Sequence, residues 1–343
     1  MKPNEITRAI IDATLDRGLR EIEEDPKRSI RKLADMGKRF SRGRFVQDLY
    51  TLFQELLRND DSPYYTAIEH LLRNTERKAL KDFGINIGYT SLTYGANLIR
   101  TNERHRDYQI PWALVLRMNP RLPNSIDASE LRLLLRQGTE LGIYTYILRC
   151  RGEFPDLSAL TEIFRKYSRC SFIFFLPDEK LSAEHLALLK RCTNIMSMFA
   201  AEGTYTDINT RSMRRQKSLY GIYAYYGDAD GDSWIRRNRC QNFGSYESSF
   251  VLMVPRDDCS SEYREEIDQY IRSVRIQQLH PFVLLNLYSD IYQIDRSISN
   301  EPCFFELMED GTIHTQDGYI QDYHRTSSLD RLFTLALPKK APE

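Results

Sequence analysis

The chain has 343 residues, with 48 Lys and Arg against 48 Asp and Glu, a formal net charge of zero at pH 7, and 41% hydrophobic residues. At roughly 150 residues per domain the length predicts about two domains. The charge balance excludes a nucleic-acid wrapper and an acidic tail, so a polyanion could be met only by a local patch. No apolar run reaches the ~18 residues that a membrane-spanning helix requires. Met1–Thr14 lacks the charged-then-apolar pattern of a secretory leader, so a cytoplasmic protein with no membrane partner is expected. Cys150, Cys170, Cys192, Cys240, Cys259 and Cys303 never come closer than 19 residues, and the first 149 residues hold no cysteine. That spacing excludes zinc knuckles, thioredoxin-type sites and thiolate iron–sulfur motifs, and it does not suit a secreted disulfide scaffold.

Residues 1–84 read as helices. Ile6, Ile10, Ile11, Leu15 and Leu19 recur at helical spacing, followed by Ile30, Leu33 and Met36, then Phe45, Leu49, Leu52, Phe53 and Leu56, then Ile68, Leu71 and Leu72. Breaks are expected at Glu24-Asp25-Pro26, Met36-Gly37, Ser41-Arg42-Gly43 and Asn59-Asp60-Asp61-Ser62-Pro63. Residues 17–45 carry ten Lys or Arg against five Asp or Glu. That excess could face phosphates, as in RNA binding, although a solvated helix surface is the reading the neighbouring acids favour.

From Ile110 short apolar runs alternate with amphipathic segments. Strands are expected at Trp112–Leu116, Tyr144–Leu148, Ser171–Leu176, Ile195–Ala200, Tyr220–Tyr226 and Phe250–Val254. Helices are expected at Asp127–Glu140, Asp156–Tyr167, Ser182–Cys192, Thr206–Gln216, Asp230–Arg239 and Ser261–Gln277. Six such units at roughly 30-residue intervals predict right-handed βαβ crossovers and a parallel sheet, and the unbroken apolar character of the runs predicts strands buried on both faces. Beyond them, Pro281–Tyr288 is a further apolar run and Asp290 to Glu301 reads as coil. Cys303–Met308, Glu309-Asp310-Gly311 and Thr312–Thr315 read as a β-hairpin turning on Asp-Gly. Residues 324–343 end the chain as an amphipathic segment, with Leu329, Leu332, Phe333, Leu335 and Leu337, and a polar tail. The expected divisions are a helical domain at 1–84, a connecting segment at 85–109, a barrel at 110–280 and a C-terminal extension at 281–343.

Several stretches carry a family resemblance. They are Glu24-Asp25-Pro26 through Lys38, Asn59 to Tyr65, Phe83-Gly84-Ile85-Asn86 with Tyr94-Gly95-Ala96, Ile110-Pro111-Trp112-Ala113 and Gln137 to Tyr144. Ala201-Glu202-Gly203, Glu301-Pro302-Cys303 and Glu309-Asp310-Gly311 complete the set. Over residues 20–315 the chain resembles the radical S-adenosylmethionine proteins of the bacterial subgroup with an N-terminal helical domain. The resemblance implies an α/β fold, a partial (β/α)6 barrel of radical S-adenosylmethionine type with that helical domain and a C-terminal β-hairpin extension. The departure lies after the first strand. Three thiolates of a CxxxCxxC loop must hold a [4Fe–4S] cluster there, and this chain instead reads Arg117-Met118-Asn119-Pro120-Arg121-Leu122-Pro123-Asn124-Ser125, with no cysteine, histidine or carboxylate. The family's Gly-Gly-Glu-Pro turn is likewise changed, to Cys150-Arg151-Gly152-Glu153-Phe154-Pro155. A degenerate pseudoenzyme with no [4Fe–4S] cluster is therefore expected, and no cofactor is predicted.

Ligands of a parallel βα barrel meet the loops at the C-terminal strand ends. Those ends supply the candidate ligand-binding residues Arg117, Asn119, Arg149, Gly152, Glu153, Glu202 and Arg211; the resemblance gives Glu202 and Arg211 to residual S-adenosylmethionine binding. Glu153 and Glu202 are also the acid–base candidates of a non-radical enzyme that uses S-adenosylmethionine or a nucleotide as an ordinary substrate. The expected partner is a peptide, a protein or a small molecule at the barrel mouth, with the N-terminal helices covering or extending it. The Asp228-Ala229-Asp230-Gly231-Asp232 string resembles half a calcium loop but has Arg239 at the twelfth position, where a glutamate is needed. The scattered histidines and the absence of GxSxG, GxGxxG and GxxxxGK[ST] patterns support no other chemistry. The cysteines read as small buried hydrophobes, with Cys150 the one to test for reactivity.

Overall fold

The computed structural model describes residues 3–21, 26–40, 47, 51, 54–123, 125–299, 301, 303–320 and 328–339. The expectations placed on Glu24-Asp25, Ser41-Arg42-Gly43, Phe45, Leu49, Leu52, Phe53, Asn124, Pro302, 324–327 and 340–343, and on the side chains of Leu33 and Met36, lie outside the described residues.

Helices lead the chain, among them α1 (Pro3–Glu21), α2 (Pro26–Phe40), α3 (Pro63–Asn74) and α4 (Arg77–Ile85). α2 runs through the expected break at Met36-Gly37, because one glycine inside a helix costs only about 1 kcal/mol relative to alanine. The break before α3 stands, with Ser62 capping the Tyr64 N–H and Pro63 in the first turn. A ten-residue π-helix (Asn86–Gly95) and α5 (Ala96–Glu103) lead into the sheet.

The sheet then builds by repetition: β1 (Ala113–Met118), α6 (Ala128–Leu141), β2 (Thr145–Cys150), α7 (Leu157–Lys166), β3 (Ser171–Phe175), α8 (Ala183–Lys190), β4 (Ile195–Ala200), α9 (Thr206–Arg215) and β5 (Tyr220–Tyr226). The helix starts follow from capping chemistry. Asp127 and Glu130 form a reciprocal capping box on α6, Asp156 caps α7 and Ser182 caps α8, while Gly142 ends α6 at φ 109°. After β5 the expected helix Asp230–Arg239 is replaced by two 3-10 segments, Asp228–Ser233 and Arg239–Tyr246. Gly231 leaves the helical region at φ 50°, ψ −133°, which breaks the run. β6 (Phe250–Pro255), α10 (Ser261–Gln277) and β7 (Val283–Asn286) follow.

The stretch Asp290 to Glu301, expected as coil, is mostly helix: α11 spans Leu287–Ser299 and buries Leu287, Tyr288, Ile291, Asp295 and Ile298 on one face. β8 (Glu306–Leu307), β9 (Ile313–Thr315), β10 (Gly318–Ile320) and α12 (Leu329–Ala336) close the chain. The hairpin expected on Asp310-Gly311 joins β8 to β9, with Gly311 at φ 92°.

The strands form one sheet in the order β10-β9-β8-β1-β2-β3-β4-β5-β6-β7. β1 to β7 pair in parallel, and β8 adds a further parallel strand on the other side of β1. Among the described residues eight strands thus run in parallel, where six are expected. β7 falls in the further apolar run Pro281–Tyr288 and β8 in the hairpin arm Cys303–Met308; their parallel pairing with β6 and β1 is what local pattern does not show. The result is an α/β protein with a curled, half-open barrel of parallel strands and surrounding helices.

Polar contacts place the leading helices at the end of the barrel opposite the mouth. Asn86 Nδ2 donates to the carbonyls of Ser168 and Cys170 just before β3, the Glu76 N–H donates to Lys217 O before β5, and Ser249 Oγ before β6 donates to Ala67 O. Lys81 Nζ ties α4 to Asp12 and Asp16 of α1 at 3.0 and 2.9 Å. These helices therefore lie at the N-terminal ends of the strands, and not at the mouth that they are expected to cover or extend.

Candidate functional site

Strand register sets the interior of the barrel. Arg117 on β1 lies across from Arg149 on β2, and Val115 lies across from Glu306 on β8. Residues two apart on a strand share a face, so Arg117, Arg149 and Glu306 all point to one side of the sheet. That side is the interior, as their contacts show. Arg117 Nε donates to Glu306 Oε1 at 2.7 Å, and Arg149 Nη1 donates to the same oxygen at 2.7 Å. The Tyr288 hydroxyl, at the start of α11, donates to Glu306 Oε2 at 2.8 Å and accepts from Arg149 Nη1 at 2.9 Å. His314 Nδ1 on β9 lies 3.0 Å from Glu306 Oε2. Arg117 also grips Asp257, in the loop after β6, through Nη1 at 2.8 Å and Nη2 at 2.6 Å. Through these bonds β1, β2, α11 and β9 converge on the Glu306 carboxylate of β8, and the loop after β6 joins them through Arg117.

The side chains of Arg117, Arg149 and Glu306 are 1%, 2% and 0% exposed, so each charge has left water and stands on its partners alone. Burial pushes the Glu306 carboxyl up, but the Arg149 charge, the His314 hydrogen bond and Arg117 outweigh it and hold the group well below the usual carboxylate range. Burial likewise works against the Arg117 cation, and Asp257 and Glu306 overcome it, leaving the guanidinium more firmly protonated than usual. Asp257 is held low, first by its hydrogen bonds from Arg117. At the rim Arg151 continues the network to Asp257 at 3.7 Å and to Glu309 at 3.3 Å.

The structure thus brings Arg117 and Arg149 together in an internal ion network. Asn119 and Gly152 form a second neighbourhood. Asn119 Oδ1 accepts the Arg121 N–H at 3.2 Å, and a Cβ added at Gly152, whose φ is 79°, would stand 3.1 Å from that oxygen. Glu153 joins it from outside through Arg121, both side chains more than half exposed. Glu202 lies elsewhere, after β4, paired with Arg239, whose Nε donates at 2.6 Å. Arg211 sits on the exposed face of α9 and pairs with Asp207 at 2.9 Å. Each of the two acid–base candidates therefore holds a different arginine.

Sequence reasoning missed Glu306, Tyr288 and His314. The signal for Glu306 was present: it is the one charge in Cys303-Phe304-Phe305-Glu306-Leu307-Met308, as Arg117 and Arg149 are the single charges of Ala-Leu-Val-Leu-Arg-Met and Thr-Tyr-Ile-Leu-Arg-Cys. A lone charge in an otherwise apolar strand calls for an opposite charge on a strand near it.

The residues present do not fit a cysteine-ligated cluster. The loop after β1 offers no thiolate; the Asn119 N–H is bonded to Ser125 Oγ at 2.7 Å, and the arginine–glutamate network occupies the interior beside it. Cys150, at the end of β2, is enclosed by protein, and burial pushes its thiol well above the ordinary range. The turn at Ala201-Glu202-Gly203 is also satisfied internally, because the Asp178 carboxylate accepts the Thr204 and Tyr205 N–H groups at 2.8 and 3.1 Å where α9 begins. In the Asp228–Asp232 string, Asp228 binds Ser260 while Asp230 binds Arg256 and Arg239. Among the described residues no three His, Cys, Asp or Glu side chains converge to hold a metal ion.

Fold and interior together define a curled parallel-sheet α/β protein that resembles the radical S-adenosylmethionine fold. The chain is similar to Streptococcus suis SuiB solved with S-adenosylmethionine bound, at 10% identity and a TM-score of 0.50, over 69% of this chain and 66% of that one. Two further SuiB structures, one alone and one bound to the precursor peptide SuiA, match with TM-scores of 0.49 and 0.48, each at 10% identity over 69% of this chain and over 68% and 67% of theirs. At that identity the likeness is one of fold, and the chain spans just under two thirds of the first SuiB chain. No family model matches the sequence, and no curated protein matches it.

Proposed function

We propose that the chain is a catalytically degenerate, radical-S-adenosylmethionine-like protein that binds a ligand at the mouth of its barrel and performs no radical chemistry. The observation that carries this reading is a thiolate-free loop after β1 beside a buried, ion-paired Arg117–Glu306–Arg149 network. A radical initiator needs an electron source at that place, and an arginine–carboxylate network supplies none. In this proposal residues 1–84 are a helical domain, 85–109 the connection, 110–280 the barrel and 281–343 an extension. The protein works in the cytoplasm as a recognition or regulatory module for a peptide, protein or small molecule.

The test is anaerobic reconstitution with iron and sulfide, followed by ultraviolet–visible and electron paramagnetic resonance spectra. No redox-active cluster is expected; a stoichiometric [4Fe–4S] signal would overturn the reading. Any residual S-adenosylmethionine binding is assigned to Glu202 and Arg211, the positions the resemblance gives to it. Calorimetry with the Glu202→Ala and Arg211→Ala variants checks that assignment, which fails where both leave binding unchanged.

A further inference from the structure

Beside the barrel a cleft of about 460 Å³ lies between α10 and α11 and reaches the C-terminal ends of β6 and β7 at Pro255 and Asn286. That volume suits a small organic ligand. Its walls carry Arg264, Arg272 and Arg296 against Glu265 and Asp268, which leaves one positive charge in excess. Arg272 is tied to Asp268 at 2.7 Å, whereas among the described residues no carboxylate lies within 4.0 Å of Arg264 or Arg296. Two guanidiniums therefore face the cleft without an acidic partner.

Two buried polar atoms point the same way. Asn286 is 2% exposed; its amide nitrogen reaches Tyr226 Oη at 3.4 Å and Asp268 Oδ1 at 3.3 Å, and its Oδ1 accepts no hydrogen bond. Arg264 Nε is also buried without an acceptor. An unmet buried group of this kind is destabilising, so a ligand that supplies a donor to Asn286 and an acceptor to Arg264 gains by satisfying both. Tyr226, Tyr288 and Tyr292 line the same walls; the first two are buried against other rings, and the half-buried Tyr292 is the one with ring surface open to a planar group.

We propose that this cleft binds a nucleoside monophosphate whose base carries an amino group. The phosphate, at about −1.5 to −2 charge, is held by Arg264 and Arg296; the base packs on Tyr292 and gives its amino N–H to Asn286 Oδ1. The inference names a ligand class for the binding module proposed above and rests on that reading only in taking the mouth side of the barrel as the place of recognition.

Isothermal calorimetry on the full chain with adenosine monophosphate, adenosine and inorganic phosphate tests it, with circular dichroism to verify folding of each variant. The monophosphate is expected to bind at least about tenfold more tightly than either fragment. Arg264→Gln and Arg296→Gln are each expected to weaken it about tenfold and to leave adenosine unchanged, whereas Asn286→Leu weakens adenosine and the monophosphate alike. Arg296 is exposed, so its variant separates binding from folding. No binding at millimolar monophosphate, binding no tighter than that of inorganic phosphate, or binding indifferent to both arginine variants overturns the inference and leaves the cluster-free reading standing. A reconstituted cluster would do the reverse.

Discussion

Replacing Glu306 by glutamine keeps the shape of the side chain and removes the one fully buried negative charge that Arg117 and Arg149 share. Glu306 receives Arg117 Nε and Arg149 Nη1 at 2.7 Å and the Tyr288 hydroxyl at 2.8 Å, with His314 at 3.0 Å. In the variant Arg117 retains the Asp257 carboxylate, but Arg149 keeps only neutral acceptors, the amide oxygen of the introduced glutamine and the tyrosine hydroxyls at 2.9 Å (Tyr288) and 3.4 Å (Tyr225). Leaving a buried cation without its carboxylate costs about 3–5 kcal/mol, whereas Glu153→Gln, at an exposed pair, should stay within about 0.5 kcal/mol of wild type. Urea unfolding followed by fluorescence of the buried Trp112 and Trp234 measures both. The pH dependence adds a second check. Because the folded-state pKa of Glu306 is depressed, its contribution is present above the unfolded value near 4.3 and is lost as pH falls below it, when the unfolded chain takes up a proton that the folded chain refuses. The stability gap between wild type and Glu306→Gln should therefore narrow from pH 7 to pH 3. A gap that stays constant over that range, or a variant as stable as Glu153→Gln, would refute the network as described.

All six thiols are free and buried, and burial raises that of Cys192 to about 12, so a thiol reagent at pH 8 should modify none of them until denaturant is added; rapid labelling of Cys150 in the native protein would contradict this. Asp295 behaves oppositely to Glu306: it is fully buried, accepts the Trp112 N–H at 2.8 Å, and burial lifts its pKa well above the usual range. Stability is then lost as pH rises above the unfolded value, so Asp295→Asn, which keeps the acceptor, should stabilise the protein at pH 7 and lose that advantage near pH 3 in thermal melts. Gly203→Ala would set a Cβ 2.5 Å from Asp178 Oδ1 and 2.7 Å from Thr206 Oγ1 and should cost about 1–3 kcal/mol in urea unfolding; an unchanged midpoint would show that the turn relaxes freely. Tyr288→Phe removes a hydroxyl that donates to a buried carboxylate and should cost about 1.5–3 kcal/mol while leaving nucleotide affinity within about threefold, because the ring stays in the cleft wall; equal losses in stability and affinity would place the hydroxyl on the ligand.

The repeating part of the barrel was legible because its signals are local. Strands of five to seven residues read as apolar runs, and the helices between them carry capping residues at Asp127, Asp156 and Ser182. β8 was legible as a hairpin arm but its parallel pairing with β1 was not, and α11 was hidden because the pattern of Asp290 to Arg296 matters only once Ile291, Asp295 and Ile298 are seen to share a buried face. Arg117 and Arg149 were singled out because they stand at strand ends, where barrels bind ligands, but the sequence could not say that 189 and 157 residues further on a single glutamate takes both. The direction of the N-terminal helices failed for the same reason: only contacts such as Ser249 Oγ to Ala67 O decide which end of a barrel a preceding domain covers.

The cleft and the interior network share residues, which bears on what a ligand could do. Tyr288 and His314 line the cleft and also contact Glu306, and Pro255, at the cleft's edge, lies two residues from Asp257, the acid that balances Arg117. Arg117 and Arg149 bring two positive charges to an interior that holds one fully buried carboxylate, so the second negative charge must come from Asp257, which is 41% exposed at the rim. The loop after β6 is therefore tied into the charge balance of the interior through Asp257. A bound anion beside Pro255 and Tyr288 would act on that same balance, and any preference it has for one position of Asp257 over another becomes a change in the population of that loop. Through Tyr288, His314 and Asp257 the internal salt bridges thus place the mouth of the barrel within electrostatic reach of the cleft.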